Sequence, residues 1–360
     1  MERSVTEDEL KWLSPDEPPF RIAGFAWWAK ERKYRRLPVT APGAIRDILN
    51  DLADNTSGGQ IRFRTNATKL AIRVKLFAPN TAEHIPATAV NGFDCYVGAP
   101  GEQRYYGTTR FPHDADQYEY VFFEGREAEM RCVTLNFPLF QGVHEVRIGV
   151  NPGAGLAEYP AYASDRKVVL YGTSITQGGC ASRPGMSYAN ILSRRFDREF
   201  INLGFSGNGQ GDPEIARFMS EIDDPGCIVI DYDANNPTID NLIRTMPEFL
   251  RILRSRHAEV PILVLSRIPY GYEHLLTTSR EDRIARRNYQ RDLVEQLRGQ
   301  GDRFIAFCDG AELTGELWNE CTVDGVHPTD LGFMRIADGL TPILQTLLNE
   351  GISTTGGIKK

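Results

Sequence analysis

The sequence lacks long hydrophobic runs. Its long apolar stretches, such as CIVI from Cys227 and PILVL from Pro261, have the length of a single β-strand. A helix needs roughly 18 or more apolar residues in succession to span a bilayer. The sequence therefore predicts no transmembrane helix.

Paired cysteines and an excess of basic residues are also missing. The six cysteines stand singly without a CxxC pair, which excludes zinc-ribbon and thioredoxin-type sites and predicts buried thiols. The net charge is −7, and a chain of this charge repels polyanions. The basic segments 31–36 and 283–287 lie among acidic residues, which favours solvated surfaces. We therefore expect no nucleic-acid partner and no binding to membranes.

A secretory signal is not visible at the N-terminus. Residues 1–20 are acidic and have neither the basic start nor the apolar core of a signal peptide. If Met1 is the native start, we expect a cytoplasmic location.

What the chain does have is the composition of a globular protein. Its 360 residues are 41% apolar, 25% charged and 10% aromatic, which argues against disorder and coiled coil. A chain of this length corresponds to about two domains and can bury about three quarters of its surface.

The first half shows short runs in which apolar and polar residues alternate. Such runs fill residues 60–150, for example IRFRTNATKLAIRVKLF and YEYVFFEG, and turn residues separate them. This pattern predicts an all-β sandwich, a jelly-roll-like domain. Residues 1–59 are less regular and receive no assignment. Because residues 151–165 are rich in small and turn residues, the predicted domains are 1–163 and 164–350, with a C-terminal tail at 351–360.

In the second half, strands and helices alternate. The apolar strand segments are RKVVLYG, EFINLGF, CIVIDYD, VPILVLSRIP and RFIAFCDG. Helical segments follow them, namely MSYANILSRRFD, PEIARFMSEI, 238–255, 280–298 and 329–348. This alternation predicts an α/β domain with a parallel sheet covered on both faces. Ligands of such sheets bind beyond the carboxyl ends of the strands, so the candidate site lies in the turns that follow them.

Three of these turns carry groups suited to acyl transfer. Ser174, in YGTSITQGG, precedes a helix whose free N–H groups favour negative charge; a helix cap or a phosphate cradle would also explain this serine. Gly207, in NLGFSGNGQG, could direct its N–H toward Ser174, or the turn could be a flexible loop. Asn235, in DYDANNPT, could donate to an oxyanion, or the turn could simply start a helix.

The turn CTVDGVHPTDLGF holds an acid and a base. Asp324 and His327 are three residues apart, so the carboxylate can accept from one imidazole nitrogen while the other faces a nucleophile. A purely structural turn is the alternative. Of the other histidines, His257 is better explained by a helix end, and His274 is a cleft residue of secondary interest.

Together these turns resemble the GDSL, or SGNH, hydrolase superfamily. GTSITQG corresponds to the nucleophile block of that superfamily, and NLGFSGNG corresponds to its glycine block. DYDANN corresponds to its asparagine block, and DGVHPTDLG corresponds to its DxxHP block. The resemblance covers residues 167–348 and implies a flavodoxin-like fold with three layers. Thr173 and Asn236 depart from the usual Asp residues of the first and third blocks. The β half, with GFDCY at 92–96, is similar to the N-terminal domain of a GTS-type branch.

The resemblance also implies the roles of the site residues. Ser174 would be the nucleophile, His327 the base and Asp324 the residue that orients the base. The backbone N–H groups of Ser174 and Gly207 and the side chain of Asn235 would form the oxyanion hole. No cofactor is implied.

Two activities fit such a site. One is a serine esterase that removes a short acyl group, such as acetyl, from a sugar or other polar alcohol. The other is an acyltransferase of biosynthesis, which passes the acyl group from the same serine to an alcohol acceptor. A long apolar lid segment is not visible, which favours short or polar acyl groups. Four aromatic residues could stack on a sugar ring, namely Trp27, Trp28, Tyr105 and Tyr106. Core packing is the better explanation for most of them.

Other functional classes are less well supported. A binding module with a degenerate site would not need all four of Ser174, Gly207, Asn235 and His327, which the chain has. A phosphate-binding domain would need a nucleotide-binding motif, which the chain lacks. Asp231 and Asp233 could form a metal pair, but no matching cluster is evident and no metal is predicted. The expected partner is a small-molecule or saccharide ester, and the sequence leaves the oligomeric state open.

Overall fold

The structure, a computed structural model, describes residues 10–40, 43–80, 82–112 and 114–350. The predicted C-terminal tail, residues 351–360, lies outside the described residues. The strands are β1 (Lys11–Leu13), β2 (Arg21–Ala23), β3 (Gln60–Thr65), β4 (Leu70–Leu76), β5 (Asp94–Val97), β6 (Arg104–Thr108), β7 (Gln117–Phe123), β8 (Arg131–Asn136), β9 (Val143–Val150), β10 (Leu156–Ala157), β11 (Ser164–Gly172), β12 (Arg198–Gly204), β13 (Cys227–Asp231), β14 (Ile262–Leu265) and β15 (Ile305–Cys308).

The α-helices are α1 (Trp28–Glu31), α2 (Asp47–Leu52), α3 (Ala87–Val90), α4 (Ser174–Gln177), α5 (Tyr188–Phe196), α6 (Pro213–Ser220), α7 (Ile239–Arg256), α8 (Thr277–Gly299), α9 (Ala311–Thr314) and α10 (Asp330–Glu350). Among the described residues, no helix combines the length and the apolar character needed to cross a membrane.

Two antiparallel sheets form the N-terminal half and confirm the predicted all-β domain. One sheet has the order β1-β9-β4-β7, and the other has the order β10-β3-β8-β5-β6, with β2 paired to β3. Alternate residues such as Ile61 and Phe63 on β3, and Ile72 and Val74 on β4, are buried in one cluster, as expected for sheets packed face to face. Segment 11–23, unassigned from the sequence, supplies β1 and β2.

A five-stranded parallel sheet forms the second half, with the order β12-β11-β13-β14-β15. This order is that of the flavodoxin-like fold, and it confirms the predicted architecture. Successive residues of β11 face opposite layers of helices. Val168 and Leu170 join one buried cluster, whereas Val169 and Tyr171 join the other.

The N-terminal segment crosses from the β half to the α/β half. Leu37, Ile45 and Leu49 are buried in the same cluster as residues of β12, α6 and α7. The guanidinium of Arg36, itself buried, donates to the backbone oxygens of Leu52 and Asn55 at 2.6 and 2.7 Å, and to that of Gly204 at the end of β12. The two halves of the chain therefore share part of one core.

Candidate active site

The nucleophile turn connects β11 to the short helix α4. Thr173 caps this helix: its side chain accepts from the N–H of Ile175 at 3.3 Å, and its own N–H donates to Oγ1 of Thr176 at 3.3 Å. Ser174 is the first residue of α4. Thr173, which stands where the resembled motif usually has Asp, is therefore the N-cap of α4. The Ser174 hydroxyl is not needed as a cap and can form a hydrogen bond with another side chain.

That partner is the predicted base. Oγ of Ser174 lies 2.8 Å from Nε2 of His327, and Nδ1 of His327 lies 2.7 Å from Oδ2 of Asp324. Because an ionised carboxylate only accepts, it holds the proton on Nδ1 and leaves Nε2 to accept from the serine. The structure thus brings the three predicted residues into one hydrogen-bonded chain.

The Asp324 carboxylate is held in its charged form. Its partial burial acts to raise its pKa, but N–H donors oppose this effect and lower the pKa to about 2. These donors are the backbone N–H and the imidazole of His327, at 2.8 and 2.7 Å, and the backbone N–H of Val326, at 2.9 Å. Asp324 is therefore an anion at neutral pH, as required of a group that orients a histidine.

The other predicted donors stand on the turns beside Ser174. Gly207 follows β12, is exposed and has φ of +67°. Asn235 follows β13, and its side-chain oxygen accepts from the N–H of Gly209 at 3.2 Å. That bond orients the carboxamide so that its N–H₂ is directed away from Gly209. A Cβ at Gly209 would lie 2.1 Å from the oxygen of Gly172, so only glycine lets this turn pack on the nucleophile turn.

The two aspartates of the third turn bind different protein groups. Oδ2 of Asp231 accepts from the hydroxyls of Thr176 and Tyr188 at 2.9 and 3.0 Å. Oδ2 of Asp233 accepts from the backbone of Arg267 and the side chain of Gln290 at 3.0 and 2.7 Å. Each carboxylate thus has a structural role of its own, which gives no support to a metal pair.

His257 and His274 make other contacts. His257 is the C-cap of α7, as its position among charged residues suggests. Nδ1 of His274 lies 2.7 Å from the backbone oxygen of Gly271 in a short 3₁₀ turn. Neither is part of the chain of hydrogen bonds at Ser174.

Two further residues beside the triad were not found from the sequence. The ring of His84, from the β half, lies 5.3 Å from that of His327, centre to centre. One potential ligand atom from each of His84, Cys180, Asp324 and His327 lies within 4.8 Å of the others. His84 and Cys180 carry no motif and come from separate parts of the chain, so no local pattern could have revealed them. The remaining cysteines are free, and all but the half-buried Cys132 are buried as predicted.

A cleft of about 460 Å³, lined by side chains of both halves of the chain, lies beside Tyr105 and Arg183. Its lining residues are Thr88, Tyr105, Gly107, Thr108, Arg110, Tyr120, Ser182 and Arg183. Arg183 donates to Oδ2 of Asp94 at 2.9 Å, and its guanidinium carbon lies 3.7 Å from the ring centre of Tyr105.

The tryptophans expected as candidate sugar platforms have packing partners instead. Trp28 stacks on Tyr34 at 4.9 Å between ring centres, and Trp27 packs edge-on against Phe218.

A serine, a histidine and an aspartate are joined here in the arrangement that serine hydrolases use, at the carboxyl edge of a flavodoxin-like sheet. The family model of GDSL-like lipases and acylhydrolases matches residues 165–345. The chain belongs to this family, and it is thus a serine ester hydrolase or a related acyltransferase. A second model, describing the N-terminus of SGNH-hydrolase-type esterases, matches residues 10–156.

Solved structures with the same architecture cover nearly the whole chain. A crystal structure described as a GDSL-like lipase, from Bacteroides ovatus ATCC 8483, is 27% identical, with a TM-score of 0.85 over 94% of this chain and 98% of that one. A salicylyl-acyltransferase from a tetracycline biosynthetic pathway is 20% identical, with a TM-score of 0.72 over 96% and 99%. A family two carbohydrate esterase from Cellvibrio japonicus is 14% identical, with a TM-score of 0.61 over 94% and 98%. No curated protein sequence matches the chain.

Proposed function

We propose that this protein hydrolyses a short acyl ester, such as an acetyl ester, of a sugar or another polar alcohol, with Ser174 as the nucleophile. The observation that carries the proposal is the continuous chain of hydrogen bonds from Ser174 through His327 to Asp324, at 2.8 and 2.7 Å. A serine hydroxyl alone is a weak nucleophile, and a hydrogen-bonded imidazole supplies the base that it needs.

The reaction proceeds in two steps. Nε2 of His327 takes the Ser174 proton while Oγ forms a bond to the ester carbonyl carbon, and the negative charge moves to the carbonyl oxygen. Donors at Ser174, Gly207 and Asn235 stabilise this oxyanion. The bond to the alcohol oxygen then breaks, and the alcohol leaves with the proton from His327. A water molecule repeats the sequence on the acyl-enzyme and releases the acid.

The cleft beside Tyr105 and Arg183 supports a polyhydroxylated alcohol as the leaving group. Thr88, Thr108 and Ser182 line it. Their hydroxyls bond within the protein, to the backbone oxygen of Ser182, to the Tyr105 hydroxyl and to Asp330, and each oxygen can still accept from a sugar hydroxyl. The ring of Tyr105, 46% exposed, can stack on a sugar.

The exposure of the triad supports water as the acyl acceptor. The side chains of Asp324 and His327 are 34% and 19% exposed, so water has access to the base. An acyltransferase must instead keep water away from its acyl-enzyme, and for this reason transfer to an alcohol is the second outcome of the test.

The test compares the wild type with Ser174→Ala on p-nitrophenyl acetate, butyrate and octanoate and on acetylated sugars. We expect Ser174→Ala to lower kcat on the order of 10⁴-fold or more with little change in KM, and acetate to be the fastest substrate. Ser206→Ala, which alters a serine in the neighbouring turn, is the matched control and should retain turnover.

The products distinguish the two activities. Free acid as the sole product supports the esterase. Faster release with an added alcohol, together with a new ester, would show an acyltransferase instead. Ordinary turnover by Ser174→Ala would refute the mechanism.

A further inference from the structure

Four potential metal ligands from both halves of the chain meet beside the triad. His84 precedes α3 in the β half, Cys180 follows α4, and Asp324 and His327 lie in the turn before α10. One donor atom from each lies within 4.8 Å of the other three. We call these residues the four-donor cluster. It combines two imidazoles, one thiol and one carboxylate, which is a mixed set of nitrogen, sulfur and oxygen donors.

We propose that the four-donor cluster binds Zn²⁺, or a divalent cation of similar softness, and that the bound ion reversibly blocks the active site. Zn²⁺ takes Cys, His and carboxylate ligands in a tetrahedron, with Zn–N of about 2.0 Å and Zn–S of about 2.3 Å. Such a tetrahedron places its donor atoms ~3.3–3.6 Å apart. The cluster thus needs only a small contraction to close around the ion.

The placement of the donors allows this contraction. His84 is exposed and lies on a loop of the β half, so its ring can approach the other three donors without repacking a core. Cys180 is buried and has φ of +72°, a conformation that favours glycine. The thiol side chain is therefore held beside His327 at some energetic cost.

The donor set also selects the kind of ion. Mg²⁺ and Ca²⁺ require six or more oxygen ligands, and this cluster supplies oxygen from Asp324 alone. Zn²⁺ and Co²⁺ accept imidazole and thiolate. Hard cations should therefore leave the enzyme unaffected at concentrations where Zn²⁺ inhibits it.

Inhibition follows from the use of His327. If its Nε2 binds the ion, the lone pair that accepts the Ser174 proton is lost. If its Nδ1 binds the ion, the hydrogen bond to Asp324 is lost and the ring is no longer oriented by the carboxylate. In either arrangement the base cannot serve the serine, and removal of the ion restores it.

The experiment uses two independent readouts on the full chain. The first is inhibition of p-nitrophenyl acetate hydrolysis by Zn²⁺ and its reversal by EDTA, with Mg²⁺ as the comparison. The second is the absorption spectrum on addition of Co²⁺, in which thiolate-to-cobalt charge transfer and intense d–d bands report a tetrahedral site with a Cys ligand. The cobalt spectrum requires no turnover, so failure of the proposed esterase function would not obscure it.

The variants are His84→Ala and Cys180→Gly. Glycine removes the thiol and suits the positive φ of residue 180, which offsets part of the packing lost with this buried side chain. Urea unfolding of the variant checks that it is folded. We expect each variant to bind Zn²⁺ at least about tenfold more weakly, and Cys180→Gly to lose the charge-transfer band. The matched controls are His144→Ala and Cys132→Ser, which alter the same residue types at positions outside the four-donor cluster. They should bind Zn²⁺ and Co²⁺ as the wild type does.

Several results would overturn the proposal. These are no inhibition by Zn²⁺, equal inhibition of the wild type and both cluster variants, or a cobalt spectrum without a thiolate band. A thiolate band that Cys180→Gly removes would support the site even in a preparation that hydrolyses no ester.

Discussion

The buried carboxyl group of Asp231 should make the protein less stable as the pH rises from 5 to 8. Burial raises its pKa from 3.8 to about 7, although the hydroxyls of Thr176 and Tyr188 donate to the carboxylate and oppose the effect. Since Thr176 belongs to the nucleophile helix, this carboxyl group lies directly behind the active site. The perturbation that isolates it is Asp231→Asn, which keeps the shape and removes the titration.

The magnitude follows from the two pKa values. Between pH 3.8 and about 7 the folded protein holds a proton that the unfolded chain has released, so the free energy of unfolding falls by about 1.4 kcal/mol for each pH unit. Over the practical range from pH 5 to 8 the fall is roughly 2.5 kcal/mol. The stabilisation by the protonated form is thus present at low pH and lost as the pH passes through the folded pKa.

The assay is urea unfolding of the wild type and Asp231→Asn at several pH values. Subtracting the two free energies removes the contributions of all other groups, and the difference should change by roughly 2.5 kcal/mol between pH 5 and 8. Tyr188→Phe removes one donor, at 3.0 Å, and should move the change to higher pH. A difference that stays constant across the range would refute the reasoning.

Three further predictions concern the site and the core. Asp324→Asn should lower kcat on the order of 10⁴-fold, because the amide stabilises the wrong His327 tautomer; esterase kinetics measure it, and a loss below tenfold would contradict the assigned role. Gly209→Ala places a Cβ 2.1 Å from the backbone oxygen of Gly172 and should destabilise the fold by about 3 kcal/mol, with an unchanged urea midpoint as the opposing result. Arg36→Met leaves buried carbonyls without their donor and should cost about 3 kcal/mol of unfolding free energy; a cost under about 1 kcal/mol would mean that water replaces the guanidinium.

The sequence predicted those features that local pattern determines. The five strands of the parallel sheet are short apolar runs next to glycine turns, and each was found at its observed place. Ser174, Asp324 and His327 stay a prediction of the catalytic residues: Ser174 follows β11, and Asp324 and His327 lie in the turn before α10, and parallel topology brings such turns to one edge. The hydrogen-bonded chain that joins them agrees with this reasoning.

Features that depend on distant contacts could not be predicted in this way. The strands β1 and β2 have three residues each, too few to show an alternation. His84 reaches the triad only because the two halves of the chain pack together, and no spacing in the sequence records that packing. The partners of Asp231 are a hydroxyl on α4 and another on α5, and nothing in the sequence pattern of its own turn indicates that these two helices supply them.

Because Arg36 and Leu37 pack on the α/β half, the region that a family model matches is not the same as the region that folds together. The two family models divide the chain between residues 156 and 165, yet Leu37, Ile45, Leu49 and Ala53 belong to the buried cluster of one helical layer of the α/β half. A gene fragment that encodes only residues 165–345, the part matched by the GDSL-like model, would produce a chain with an open groove beside β12 and with the Gly204 carbonyl deprived of its guanidinium partner. We therefore expect an exchange of the β half between relatives to keep the fold only where the residues at this contact match.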